Sequence, residues 1–246
     1  MPMIEPPSQE TIFNIEMRNE NKEMRKMITN SFFIYQLFRK IQNGFSPLIV
    51  ICGSQRIGKS FIALWLCNLL AEMTGKPFNM RKNTFYEPLE AIEKLEEKSK
   101  EAIFIDEASD IMDAREWYDQ THHALRSMIN TQAYKTLMYI FVSPFVVDID
   151  KSVRKHFDFK IRVDARGRFK CFKYIKKYGQ EEIKKVTEQI FLDDMGIKLS
   201  DLPTQKWEDY LNFSIKEKEK IRKRRYLKGK GVKKSPISRL LKNLRS

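Results

Sequence analysis

The chain has 246 residues, 42% hydrophobic and 12% aromatic, which suffices for a domain with a substantial core and is too apolar for a disordered chain. Its 46 Lys and Arg against 32 Asp and Glu leave a net charge of +14. Ser214 to Ser246 holds 14 of the basic residues and 2 of the acidic ones, so a near-neutral domain carries a basic tail whose partner is polyanionic, either nucleic acid or an acidic membrane face.

The three cysteines, Cys52, Cys67 and Cys171, are far apart and form no Cys-x-x-Cys pair. With the histidines His122, His123 and His156 they build neither a zinc site nor a disulfide framework, and a reducing compartment follows. The most apolar stretch, Phe61 to Met73, is 13 residues long, whereas a membrane-spanning helix needs about 20. Met1 to Glu10 carries acids and prolines where a signal peptide has a basic and then an apolar region. The expectation is a soluble, cytoplasmic protein without membrane attachment.

In chain order, residues 1–20 read as an N-terminal arm, with Pro2, Pro6 and Pro7 keeping its start loose. From about Asn21 to Gln42 apolar residues recur at helical spacing and stop at Asn43-Gly44. Pro47 to Cys52 contains a short continuous apolar run that suits a strand buried on both faces. Ser60 to Met73 predicts an apolar helix, Phe78 to Tyr86 a second strand, and Glu87 to Lys98 a charged amphipathic helix. Ala102 to Ile105 predicts a third buried strand, Glu116 to about Asn130 a helix, and Thr136 to Val142 a fourth strand. Strands alternating with helices predict a three-layer α/β domain with a mainly parallel sheet. Phe157 to Val163 and Arg168 to Tyr174 then alternate apolar with polar around the turn Asp164-Ala-Arg-Gly167, which predicts a β-hairpin with one basic, solvated face. Residues 180–213 read as mixed helix and loop, and the basic tail runs from Ser214 to Ser246.

Gly53-Ser54-Gln55-Arg56-Ile57-Gly58-Lys59-Ser60 matches G-x-x-x-x-G-K-[ST] between the first strand and the helix that follows it. Glycines let backbone N–H groups converge on phosphate oxygens, and the helix N-terminus adds partial positive charge. Gly53 to Ser60 and Phe61 after them are expected to bind the nucleotide, Lys59 reaching the β- and γ-phosphates and the Ser60 hydroxyl ligating Mg²⁺. ATP and Mg²⁺ are therefore the expected ligands. At the end of the third strand stand Asp106 and Glu107: Asp106 is the candidate metal-holding acid and Glu107 the general base that polarises water. Ser143, closing the fourth strand, either senses the γ-phosphate or caps the strand end. Arg154 is the candidate for an arginine that reaches a neighbouring subunit's nucleotide, with a surface salt bridge as its other reading and Arg115 and Arg126 competing for the role.

Taken together, Gly53–Ser60, Ile103–Glu107 and the Thr136–Ser143 strand followed by Ile149-Asp150 to Arg154 resemble the additional-strand class of P-loop NTPases. More narrowly they resemble the FtsK–HerA superfamily of DNA-pumping ATPases, which includes viral genome-packaging and zonula-occludens-toxin-like ATPases. The resemblance covers roughly Phe33 to Val163. It implies a RecA-like core over residues 21–213, hydrolysis of ATP, a homo-oligomeric ring, and double-stranded DNA as partner. Within it Lys59 and Ser60 would bind nucleotide and Mg²⁺, Asp106 would hold the metal, and Glu107 would be the catalytic carboxylate. Relatives often close the fourth strand with Gln or Thr, where this chain has Ser143.

The tail, with Ile221-Arg-Lys-Arg-Arg-Tyr226 and Lys228-Gly-Lys-Gly-Val-Lys-Lys234, suits salt-sensitive, sequence-independent binding of nucleic acid, or alternatively serves as a solvated tail. Its glycines and scarce apolar anchors argue against a helix lying on a membrane. Two functions remain open on these residues: a packaging-type DNA translocase, and an ATP-gated helicase loader or DNA-binding switch. A small-molecule kinase lacks its arginine-rich lid here.

Overall fold

The computed structural model describes residues 31–108, 124, 127, 129, 131, 135–165, 167–177, 180–191 and 204–229. The N-terminal arm, the first part of the helix expected from Asn21, most of the helix expected from Glu116, and the tail beyond Gly229 lie outside them.

Helix α1 (Phe32–Gln42) starts where the Ser31 hydroxyl accepts the Ile34 N–H at 3.3 Å. It ends at Asn43-Gly44, with Gly44 in the left-handed region. Strand β1 (Leu48–Cys52) is buried throughout, and helix α2 (Lys59–Thr74) buries most of its surface. The stretch expected as a strand from Phe78 to Tyr86 instead opens with a single helical turn, α3 (Met80–Asn83), leaving only β2 (Thr84–Phe85) extended. The cause is local: the Asn79 side chain accepts the Lys82 N–H and caps the turn. Helix α4 (Pro88–Leu95) begins with proline in its first turn, where a missing N–H costs nothing. Strands β3 (Ala102–Ile105) and β4 (Met138–Val142) are again buried along their length. A 3₁₀ turn at Val146–Asp148 and a short helix α5 (Lys151–Arg154) lead to β5 (Phe159–Ala165) and β6 (Arg168–Lys177), the expected hairpin, with Gly167 at positive φ in its turn.

Two further elements differ from expectation. Residues 180–191, read as helix and loop, form a third antiparallel strand, β7 (Gln180–Phe191). Helix α6 (Thr204–Gly229) runs unbroken for 26 residues, so the border expected between Phe213 and Ser214 falls inside it. The lysines of the presumed tail are good helix formers. The stripe of Trp207, Tyr210, Ser214 and Lys218, spaced three, four and four residues apart, gives one face of the helix something to dock.

Among the described residues, seven strands lie in the order β2-β3-β4-β1-β5-β6-β7. The first five are mutually parallel, and β5, β6 and β7 pair antiparallel. Both faces of the parallel part are covered, as its continuous apolar strands require. Ile49, Ile51, Phe104, Ile140, Val142 and Ile161 face α1 and α2 in one core. Leu48, Val50, Ile103, Ile105, Tyr139 and Phe141 face α4 and the segment around Val153 and Phe157 in the other. The result is a three-layer α/β domain of the RecA-like P-loop NTPase type, with β4 inserted between the loop-bearing β1 and the acidic β3. Among the described residues, no helix is long and apolar enough to cross a membrane.

Asp158 secures the start of β1 and β5. Its carboxylate accepts from Lys40 Nζ at 2.7 Å and from the Leu48 N–H at 3.0 Å, and its own N–H donates to the Leu48 carbonyl at 2.8 Å. Replacing Asp158 by Ala strands a part-buried backbone donor and a lysine. It is expected to lower stability by about 2 kcal/mol in urea denaturation, with an unchanged dependence on denaturant concentration.

Candidate functional site

Strand β1 delivers the chain to Gly53 at φ 149°, beside β5. A Cβ on Gly53 would stand 2.7 Å from the carbonyl oxygen of Val163, so no side chain fits without moving the β5 backbone. Ser54, Gln55 and Arg56 are exposed, and Arg56 takes a left-handed φ of 59°. Gly58, at φ 100°, precedes α2 and provides no side-chain cap, so the amides of the first turn keep the partial positive charge that attracts an anion. Phe61 is 5% exposed and packs in the core, leaving its backbone amide as what it can offer a phosphate. Ile57 likewise packs against that core.

Lys59 folds back over its own loop, its ammonium donating to the carbonyls of Gly53 at 2.9 Å and Ser54 at 2.7 Å. Burial lowers its pKa, and the charges of Glu107 and Asp106 partly offset that. Ser60 donates its hydroxyl to Asp106 Oδ1 at 3.2 Å, which joins the start of α2 to the end of β3 across the intervening β4.

Asp106 has no exposed surface. The Tyr210 hydroxyl donates to its Oδ2 at 2.7 Å, and the Lys218 ammonium lies 2.9 Å from the same oxygen. Glu107, 41% exposed at its side chain, sits at φ 56°, so the chain turns sharply just after the buried carboxylate. Such a conformation costs a non-glycine residue roughly 1–3 kcal/mol and occurs chiefly where a site demands it. Its Oε1 accepts from Lys218 Nζ at 3.0 Å.

Lys59, Ser60, Asp106 and Glu107 are thus brought together. Ser143 stands at the C-terminal end of β4, between the other two strand ends, with its N–H on the Ile51 carbonyl and its hydroxyl on the Phe145 carbonyl at 2.8 Å. In this geometry its hydroxyl proton closes the turn after the strand. Arg154 lies in α5, its Nε buried with no hydrogen-bond partner among the described residues. No described contact joins it to the loop or to the two carboxylates, and Arg115 and Arg126 lie outside the described residues.

Tyr210 and Lys218 escaped sequence reasoning. Both belong to α6, which meets the domain through long side chains. Tyr210 stacks on Phe104 of β3 (centroids 5.8 Å apart) and on Trp207 (5.4 Å), and Trp207 meets Phe61 edge-on at 5.3 Å. Phe213 packs against Tyr86 at 6.0 Å, and the Lys218 ammonium lies 5.9 Å from the Tyr86 ring centre. Burial first, then the Asp106 charge, pushes the Tyr210 and Tyr86 phenols up, so both stay protonated. Burial alone would lower the pKa of Lys218, but Asp106 and Glu107 outweigh it and raise the value, keeping the ammonium charged through the neutral range. The one signal in the sequence was the helical spacing of Trp207, Tyr210, Ser214 and Lys218.

The donor set suits Mg²⁺. A hydroxyl and a buried carboxylate, both hard oxygens, lie in contact, and a cationic group already rests on that carboxylate. Among the described residues, no group of three or more His, Cys, Asp or Glu forms a metal cage. On the hairpin, Lys160 and Arg162 flank the Phe172 ring at 6.0 and 5.9 Å, which supplies the expected basic face. Tyr174 packs against Phe157 at 6.4 Å, and Tyr178 lies outside the described residues.

Strand order, loop and acidic strand end together have the arrangement of the P-loop NTPase fold of the additional-strand kind. No model of a known protein family matches the sequence, and a search of the curated proteins finds no match. Among solved structures, the N-terminal domain of zonular occludens toxin from Neisseria meningitidis is 11% identical, covering 57% of this chain and 93% of its own, with a TM-score of 0.35. The genome packaging NTPase B204 from Sulfolobus turreted icosahedral virus 2, in complex with AMPPCP, is 14% identical, covering 57% and 97%, with a TM-score of 0.38. The FIGL-1 AAA domain is 12% identical, covering 58% and 52%, with a TM-score of 0.36. The overlap is loose at these scores, and the fold is read from the chain's own loop and strand order.

Two substitutions test this geometry. Gly53→Ala is expected to cost about 2 kcal/mol through the clash with the β5 carbonyl and to lower the melting temperature. Tyr210→Phe, which keeps the ring stacking but removes the hydroxyl from Asp106, is expected to cost about 1–2 kcal/mol in the same measurement.

Proposed function

We propose that this chain binds ATP with Mg²⁺ and hydrolyses it, and that the energy serves movement of double-stranded DNA in a packaging-type motor. The observation that carries the first part is the bond between Ser60 and Asp106, which unites the phosphate loop with the acidic strand end in one site. The loop amides from Gly53 to Ser60 cradle phosphate oxygens, and Lys59 exchanges its two loop carbonyls for the β- and γ-phosphates. Ser60 and Asp106 would hold Mg²⁺, which, when bound, neutralises charge on the phosphates. Glu107, more exposed than its neighbour, accepts a proton from the attacking water.

Support for DNA as partner comes from the charge of the chain. The hairpin carries Lys160, Arg162 and Lys170 beside Phe172, and the last 33 residues hold a net +12. Homo-oligomeric ring assembly would supply an arginine in trans, for which Arg154, Arg115 and Arg126 are the candidates. A second reading, a nucleotide-gated loader or DNA-binding switch, gains from the contact of α6 with both carboxylates.

Lys59→Ala is expected to abolish ATP binding measured by calorimetry. Glu107→Gln is expected to retain binding while turnover falls by about 10²–10⁴. Normal turnover in Glu107→Gln would remove Glu107 from its role. Duplex DNA is expected to stimulate hydrolysis, and processive displacement of a triplex-forming strand separates a translocase from a loader, which displaces none.

A further inference from the structure

Lys218 belongs to neither the phosphate loop nor the acidic strand, yet its ammonium lies between the two carboxylates, 2.9 Å from Asp106 Oδ2 and 3.0 Å from Glu107 Oε1. It is held there by its own helix. Trp207 rests on Phe61, Tyr210 is 2% exposed and bonded to Asp106, and Ser214 is 5% exposed one turn before Lys218. These four residues make a single docked face from the helix start to the catalytic pair.

Two consequences follow from charge and valence. An ammonium and a divalent cation beside the same buried carboxylate repel each other strongly in a low-dielectric setting. The ammonium also takes one acceptor site of Glu107 Oε1 and holds that carboxylate toward the helix. We infer that α6 is a latch acting in cis: docked, Lys218 occupies the charge position that a cation on Asp106 requires and pins Glu107 against the helix, so hydrolysis requires its withdrawal. This rests on the roles given to Asp106 and Glu107 under Proposed function. The releasing partner is a polyanion, here duplex DNA, because the same unbroken helix continues to Gly229 and residues 216–229 include eight Lys or Arg against two acidic residues. Phosphates along a duplex offer those lysines, Lys218 among them, alternative anions to the two carboxylates.

The test compares the full chain with Lys218→Gln, which removes the charge, and Lys218→Arg, which keeps it. Without nucleotide, backbone amides of residues 204–221 should exchange with deuterium severalfold faster in Lys218→Gln and at the wild-type rate in Lys218→Arg. Mn²⁺, followed by electron paramagnetic resonance on the nucleotide-free protein, should bind Lys218→Gln more tightly than wild type. ATP hydrolysis without DNA should rise about tenfold in Lys218→Gln, with a correspondingly smaller stimulation by duplex DNA. Unchanged amide exchange together with unchanged Mn²⁺ affinity would overturn the latch, as would a basal rate that falls. If instead wild type and Lys59→Ala show the same hydrolysis, the ATPase reading fails by itself, and the exchange and Mn²⁺ measurements still decide whether Lys218 holds the carboxylates.

Discussion

A carboxylate with no exposed surface has to be satisfied from within the protein, because removing it from water costs several kcal/mol that only good partners offset. Asp106 is such a group, and three side chains converge on it: Ser60 from the start of α2, Tyr210 and Lys218 from α6. The demand of one buried charge therefore fixes how the phosphate loop, the acidic strand and the C-terminal helix sit against one another. Glu107, one residue later, escapes this demand because the chain reverses at its left-handed backbone and leaves the side chain within reach of water. Adjacent residues of the same chemical kind thus acquire different environments, one sealed from water and the other open to it.

The sheet makes that convergence possible. All five parallel strands end on one side, so the loop after β1, the carboxylates after β3 and Ser143 after β4 arrive at a common edge, where open α/β sheets gather their ligands. Because both faces of these strands are covered, positions along them are locked by packing, and the chemistry is left to the loops at their ends.

Much of this was legible in the residues. Leu48–Cys52, Ala102–Ile105 and Met138–Val142 are continuous apolar runs because they are buried on two sides, and the loop motif announces itself by its glycines and its Lys-Ser ending. The hairpin was equally plain from its alternation. What escaped was set by distant contacts. Tyr210 and Lys218 lie 104 and 111 residues from the carboxylates they touch, in a stretch whose lysines read as solvated tail and whose docking stripe is one narrow face. Strand β7 has its alternation interrupted by Glu181-Glu182 and Lys184-Lys185 and is extended because β6 offers it a ladder. At Asn79 a single side-chain cap overrode a strand-like pattern.

The position of β1 has a consequence for how the molecule comes into being. Among the described residues this strand precedes every other strand, yet it sits in the middle of the sheet, with Ile49 registered against Ile140 on one side and Phe159 on the other. A ribosome working from the N-terminus therefore releases the phosphate-binding loop long before either neighbour exists to hold it. Only when β5 has emerged can the centre of the sheet close, and α6 arrives after that. During synthesis the loop after β1 is accordingly made before the strands and the helix that hold it in place.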